Sequence, residues 1–141
     1  MALKQISVFL ENKPSQLLNL ADVLRKNAID MRALSLSETT DFGIARLIVD
    51  KPDDALEILK AEQYIANQTP VLAVELNDQA GGLYTILEII AKANINLEYT
   101  YAFITRKQGT ACSVLRVDDT QKAEQLLAEN GIRLLESIDT I

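Results

Sequence analysis

The sequence has no histidine and no tryptophan, and only one cysteine and three prolines. Each scarcity excludes something. Histidine is the commonest acid–base residue near neutral pH and the commonest transition-metal ligand, so its absence disfavours both kinds of chemistry. A lone Cys112 allows no internal disulfide and leaves a structural zinc site without ligands. No metal and no cofactor is called for, and a reducing cytoplasm is the compartment that fits. Cationic clusters are missing too. Fourteen Lys and Arg stand against twenty Asp and Glu, a net charge of −6, which suits no nucleic-acid backbone. No apolar run approaches the ~18 residues of a membrane span, so no membrane partner is expected. The opening "MALKQIS" lacks the apolar stretch of a secretory signal. What is present, 48% hydrophobic and 24% charged residues, describes a globular chain with a core.

The sequence also says one thing twice. Shifted by 66 positions, residues 6–31, "ISVFLENKPSQLLNLADVLRKNAIDM", lie without gaps over 72–97, "LAVELNDQAGGLYTILEIIAKANINL". Leu10 meets Leu76, Leu17 meets Leu83, Leu20 meets Ile86, Leu24 meets Ile90 and Ile29 meets Ile95. Farther on, "LIVDKPDDALEIL" matches "VLRVDDTQKAEQLL" once two residues are inserted in the second copy. A period of this length is too long for a solenoid repeat and implies a duplicated small domain, residues 1–69 and 70–141.

Within each copy the elements are legible. Residues 4–10 alternate as a strand, and Pro14 suits the first turn of a helix. Leu17, Leu20, Ala21, Leu24 and Ala28 then mark one helical face, ending at Asn27. "RALSLSE" and "IARLIVD" are strands joined by a hairpin, "PDDALEILKAE" is a second helix with acids at its start, and "YIANQ" is a last strand. The second copy predicts strand 71–76, helix 82–93, strands 97–105 and 110–117, helix 120–129 and strand 132–138. The order β-α-β-β-α-β, twice, is the split βαβ. The fold class expected is α+β: two ferredoxin-like βαββαβ units packed side by side, an antiparallel sheet with helices on one face. The second strands, "RALSLSE" and "LEYTYAF", should lie at sheet edges and pair with each other within the chain.

The loop between first strand and first helix distinguishes the candidates for this fold. It carries no Cys-x-x-Cys, and where an RNA-binding sheet shows aromatics on its central strands and a basic face, these strands read "QISVFLE" and "IARLIVD" in an acidic chain. It reads Asn12-Lys13-Pro14-Ser15-Gln16-Leu17 in one copy and Asp78-Gln79-Ala80-Gly81-Gly82-Leu83 in the other. Both resemble the Asp/Asn-x-Pro-Gly-x-Leu signature of the ACT family. "AIDM" and "ANINL" resemble that family's Asn/Asp-Ile pair after the first helix. The resemblance covers nearly the whole chain, with Ser15 in place of the signature glycine and Ala80 in place of its proline. It implies a free amino acid as ligand, held between a loop of one copy and the post-helix residue of the other. Carried over, it gives one site from Asn12, Pro14, Ser15, Gln16 and Leu17 with Asn96. A second site combines Asp78, Ala80, Gly81, Gly82 and Leu83 with Asp30. There, bare N–H groups at Gly81 and Gly82 would take the α-carboxylate, and Asp30 with Asp78 the α-ammonium.

Each residue also has a plainer reading. Gly81-Gly82 could shape a tight turn; if instead they receive the carboxylate, Gly82→Val should weaken binding, with the fold intact because the position lies at a helix start. Asn12 and Asp78 could be helix N-caps, and Asp30 and Asn96 could cap a turn. Tyr99 and Tyr101 read as packing or interface residues, Cys112 as a buried apolar group, and Asp118-Asp119 as a helix start. No nucleophile with a base and no phosphate-handling lysines are visible. The expected function is therefore a non-catalytic sensor that binds an amino acid, forms a homodimer and regulates a metabolic enzyme partner. The alternative is a docking subunit resembling the small subunit of acetolactate synthase.

Overall fold

The computed structural model describes residues 2–38, 40–77, 79–103 and 110–136. The chain divides into two compact units, Lys4–Thr69 and the chain from Pro70 onward, the latter joined by the N-terminal residues through Leu3. The first contains β1 (Leu3–Glu11), α1 (Gln16–Lys26), β2 (Met31–Glu38), β3 (Phe42–Val49), α2 (Pro52–Ala61) and the start of β4 (Ile65–Asn77). Its strands run in the order β2-β3-β1-β4, the ferredoxin-like order. Ala45 on β3 faces Val8 on one side and Leu36 on the other, both antiparallel.

The second unit continues β4 and adds α3 (Gly82–Lys92), β5 (Leu97–Phe103), β6 (Thr110–Val117) and α4 (Thr120–Glu129), with the order β4-β6-β5. In both units the helices form where the apolar spacing places them. Leu20 and Leu24 of α1 are fully buried, as are Ile86 and Ile90 of α3. α2 begins with Pro52 at its first turn and Asp53 and Asp54 behind it, where the missing N–H is harmless and negative charge meets the positive helix end. α4 is capped by Asp119, whose carboxylate accepts the Lys122 amide at 3.1 Å.

Four expectations change. Strands 64–68 and 71–76 are one unbroken β4 of thirteen residues. Pro70 does not stop it, because proline's fixed φ suits extended backbone and costs only one donor. Strand 132–138 reduces, among the described residues, to the single bridge Val74–Leu134, with Leu135 N–H donating to Ala73 O at 2.8 Å. Positions 104–105 and 137–138 of the predicted strands lie outside the described residues. β2 and β5 are edge strands, but β2 bonds to β3 alone and β5 to β6 alone, so the expected pairing of the two second strands does not form. Finally, Pro14 precedes α1, which starts at Gln16.

The cores repeat with the sequence. Ile6, Val8, Leu20, Leu24, Ile29, Leu47, Val49, Ala55 and Leu59 are buried together in the first unit. Leu72, Val74, Ile86, Ile90, Ile95, Leu115, Val117, Ala123 and Leu127, their counterparts at shifts of 66 and then 68, form the core of the second. Left-handed backbone repeats as well. Among the described residues positive φ occurs at Ser15, Ala28 and Gln63 and at their counterparts Gly81, Asn94 and Gly131. No helix among the described residues is long and apolar enough to cross a membrane.

Candidate functional site

Both strand–helix loops are built by the same local moves. Lys13 N–H returns to Glu11 O at 2.9 Å, and Gln79 N–H returns to Asn77 O at 2.8 Å, 66 residues later. The chain then passes through one left-handed residue, Ser15 at φ 69° or Gly81 at φ 87°, and the helix begins. These two residues are the N-caps, so Asn12 is not one, and neither cap supplies a side-chain hydrogen bond. Asp78 lies outside the described residues.

The double glycine therefore has two separate causes. Gly81 occupies a φ that side chains rarely adopt, and a Cβ there would meet nothing within 4 Å. Gly82 has ordinary φ, but a Cβ on it would stand 2.4 Å from the Asn77 carbonyl oxygen. The expectation that Gly82→Val spares the fold is thereby overturned: the obstacle is backbone, which cannot swing aside. Nor is the Gly82 amide bare, because it donates to Gln79 O at 3.1 Å.

In the first unit the loop is tied to the β2–β3 hairpin. Asn12 N–H donates to Asp41 O at 3.0 Å and its side-chain Nδ2 to Thr40 O at 3.3 Å. This holds the loop beside a cavity of about 280 Å³. Asn12, Ser15, Gln16 and Leu17 all line it; Pro14 does not. The first intrahelical bond of α1 is Asn19 N–H to Ser15 O, so the amides of Gln16, Leu17 and Leu18 stand ahead of it at the positive helix end. The other wall comes from Leu10, Leu36, Glu38 and Gly43. Strand register places them together, with Gly43 opposite both Leu10 and Glu38. A Cβ at Gly43 would sit 3.2 Å from Ser37 O and 3.5 Å from the Leu36 side chain, so glycine keeps that wall open. Nothing in the local sequence marks Leu36 and Glu38 as site residues; only the hairpin register brings them in. Glu11 also lines the cavity, but Lys13 Nζ holds its carboxylate at 2.6 Å.

The post-helix residues occupy equivalent places. Asp30 exchanges two hydrogen bonds with Asp50: its N–H donates to the Asp50 carboxylate Oδ1 at 2.9 Å, and Asp50 N–H donates to Asp30 O at 3.1 Å. Asn96 and Asp118 do the same at 3.0 and 3.1 Å. Asp118 thus clamps a strand entry, and only Asp119 starts the helix. Asp30's carboxylate meets Arg32 Nη1 at 3.2 Å, so it already has a cationic partner. Its expected apposition to Asp78 involves a residue outside those described. Each of Asp30 and Asn96 is separated from the loop of its own unit by an eleven-residue helix, about 16 Å at 1.5 Å per residue.

Of the plainer readings, Cys112 is buried, and burial pushes its thiol up to about 11. Tyr99 and Tyr101 stack with ring centroids 6.5 Å apart. Among the described residues no cluster of three or more carboxylate or thiol ligands could hold a metal.

A family model described as an ACT domain pair matches residues 1–140. Among solved structures, protein BT0572 from Bacteroides thetaiotaomicron is 35% identical, with 96% of this chain and 92% of that chain covered and a TM-score of 0.90. The ligand-free regulatory subunit of aspartate kinase from Thermus thermophilus is 14% identical over 92% of this chain and 93% of that one, with a TM-score of 0.67. Its counterpart from Thermus flavus gives 14%, 92% and 92%, and 0.65. These last two show likeness of fold. A search of curated proteins found no match.

Proposed function

Because the chain belongs to the ACT domain pair family, we propose that it is a non-catalytic sensor of a free amino acid that regulates a partner enzyme of amino-acid metabolism. The observation that carries the reading is the first-unit cavity, where four of the residues anticipated from the loop, Asn12, Ser15, Gln16 and Leu17, share one wall. Its volume, about 280 Å³, lies just below the roughly 300–1,000 Å³ typical of drug-sized ligands, as a smaller ligand requires.

The chemistry fits an amino acid at both ends. The early α1 amides suit an α-carboxylate. Glu38 supplies the charge for an α-ammonium, since Glu11 is held by Lys13. Leu10, Leu17 and Leu36 leave an apolar wall for the side chain, which favours an aliphatic amino acid. The engaged Gly82 amide and the Arg32-paired Asp30 argue for the first-unit loop over the second as the principal contact. The chain works as a homodimer in the cytoplasm, assembled through the open edges β2 and β5, whose unpaired backbone groups invite cover.

A thermal-shift screen of the twenty amino acids tests this. A ligand at ~100 times its Kd adds about 2.7 kcal/mol, on the order of 5–10 °C in Tm for a chain of this size. An aliphatic amino acid should give the largest shift, and Glu38→Gln should reduce it. No shift with any amino acid at millimolar levels overturns the sensor reading.

A further inference from the structure

The first unit exposes large apolar side chains on the sheet face turned away from its helices. Along β1, Val8 and Leu10 are in the core, while Phe9 between them is 41% exposed. Phe42 is 56% and Ile65 71% exposed. Ile44, which pairs with Phe9 across β1 and β3, completes the patch. Phe9, Phe42, Ile44 and Ile65, with Ser37 and Glu38, line a groove of about 360 Å³. A second groove shares Phe9, Phe42 and Ile65 with it and adds Glu11 and Glu62, so the two are continuous.

The fold does not require this patch. At the matching places in the second unit, Phe9 is replaced by Glu75, Ile44 by Cys112 and Ile65 by Arg133. Glu75 and Arg133 there form an ion pair at 3.1 Å. Two of the three places thus fold equally well when charged, and the first unit keeps Phe9, Phe42 and Ile65 in water without a structural return. Such a patch marks an interaction surface.

Charge decides what kind. The carboxylates at the grooves are Glu11, Glu38 and Glu62, and neither groove is lined by Lys or Arg. Lys13 neutralises Glu11, while Glu38 and Glu62 have no ion-pair partner among the described residues. Arg46, on the neighbouring register position, donates to Ser37 Oγ. A second copy docking here about a two-fold axis would set this apolar-and-acidic patch against itself, with like charges at its rim. We infer that this face docks a segment of a partner protein whose apolar side chains are flanked by lysine or arginine. The inference rests on the reading that the chain acts through a partner, and it gives that partner's surface chemistry.

The test uses the full chain and a matched set of short fluorescent peptides with one apolar core of Leu and Phe, flanked by lysine, serine or glutamate. Anisotropy should show the lysine-flanked peptide binding roughly tenfold tighter than the serine-flanked one, and the glutamate-flanked one weakest. Ile65→Arg and Phe42→Ser, both at exposed positions, should each weaken the lysine-flanked peptide by about tenfold or more, as loss of an interface anchor does. Glu62→Gln, at a carboxylate that does not line the ligand cavity, should reduce its advantage over the serine peptide. Circular dichroism checks that each variant is folded. Equal binding of the three peptides, no binding, or binding indifferent to both Ile65→Arg and Phe42→Ser overturns the inference. So does a sedimenting dimer that Ile65→Arg turns into monomer, because a second copy would then occupy the patch. The amino-acid thermal shift is read in the same Ile65→Arg protein. A retained shift with peptide binding lost supports docking through Ile65, which does not line the ligand cavity. Peptide binding without any amino-acid shift in the unaltered chain defeats the sensor reading alone.

Discussion

Nine core positions of the second unit have an apolar counterpart in the first at the same place in the repeat. The three left-handed positions share not one residue type: Ser15, Ala28 and Gln63 in the first unit, Gly81, Asn94 and Gly131 in the second. The surface differs more still, with Phe9 and Ile65 exposed where the other copy has the Glu75–Arg133 ion pair. Duplication has held the packed volume fixed, since cores feel a change of a single methylene. Backbone conformation is held as well, but the residues that realise it are free to vary at modest cost. What divides the units is therefore their loops and surfaces, the parts that carry the proposed ligand site and docking face.

The sharpest break in that likeness is expected at the helix starts. Gln16 carries a full side chain where its counterpart Gly82 cannot carry even a Cβ, which would meet Asn77 O at 2.4 Å. Gly82→Ala should destabilise the chain by about 1–3 kcal/mol, the range for forcing atoms into a packed site. Gln16→Ala should stay within about 0.5 kcal/mol, as a substitution with no buried partner does. Urea denaturation of the two variants makes the comparison. Equal costs would mean that the two loops share one geometry.

Much of this was legible in the sequence, and the duplication made it so. Leu20 over Ile86 and Leu24 over Ile90 mark both helix faces and part of each core, because a 3.6-residue period and a 66-residue period have to agree. The predicted bounds of the helix over 120–129 match α4. The ends of chain-crossing elements were harder. Nothing local says that 64–68 and 71–76 fuse through Pro70, because strand continuity depends on partners rather than on the residue itself. For the candidate site, the loop signature points to Asn12, Ser15, Gln16 and Leu17, which line the first-unit cavity, but Leu36 and Glu38 enter it through hairpin register, a non-local fact. The constraint on Gly82 is not legible in the sequence, because it is an approach to Asn77 O, and such an approach has no sequence signature.

A middle-sized effect should treat the two units alike. Asp50 and Asp118 each accept a backbone N–H, from Asp30 and Asn96, at 2.9 and 3.0 Å. Replacing either by alanine should cost about 1 kcal/mol, the usual net worth of such a bond. Asp50 is half-buried and Asp118 exposed, so Asp50→Ala should be the costlier of the two. If only one matters, the clamp is a local accident rather than a feature inherited by both copies.

The smallest expected effect tests whether the left-handed positions are equivalent. Gln63 at φ 71° and Gly131 at φ 77° both follow the second helix of their unit. In each, the next residue closes the turn: Tyr64 N–H donates to Leu59 O and Ile132 N–H to Leu127 O, both at 3.0 Å. A Cβ on Gly131 would touch nothing within 4 Å, so the difference between the two residues is one of backbone preference and not of packing. A side chain in the left-handed region costs about 1–2 kcal/mol, while glycine loses roughly 0.5–1 kcal/mol through the freedom of its unfolded chain. The balance favours glycine slightly at both sites. Gln63→Gly should stabilise the chain by about 0.5 kcal/mol, and Gly131→Gln should destabilise it by a similar amount. The double exchange should then come out near the starting stability, because the changes lie in separate units and share no partner. Calorimetric melting of the two single variants and the double one measures this directly. Two changes of the same sign would show that Gln63's side chain contributes something that its conformation alone does not reveal.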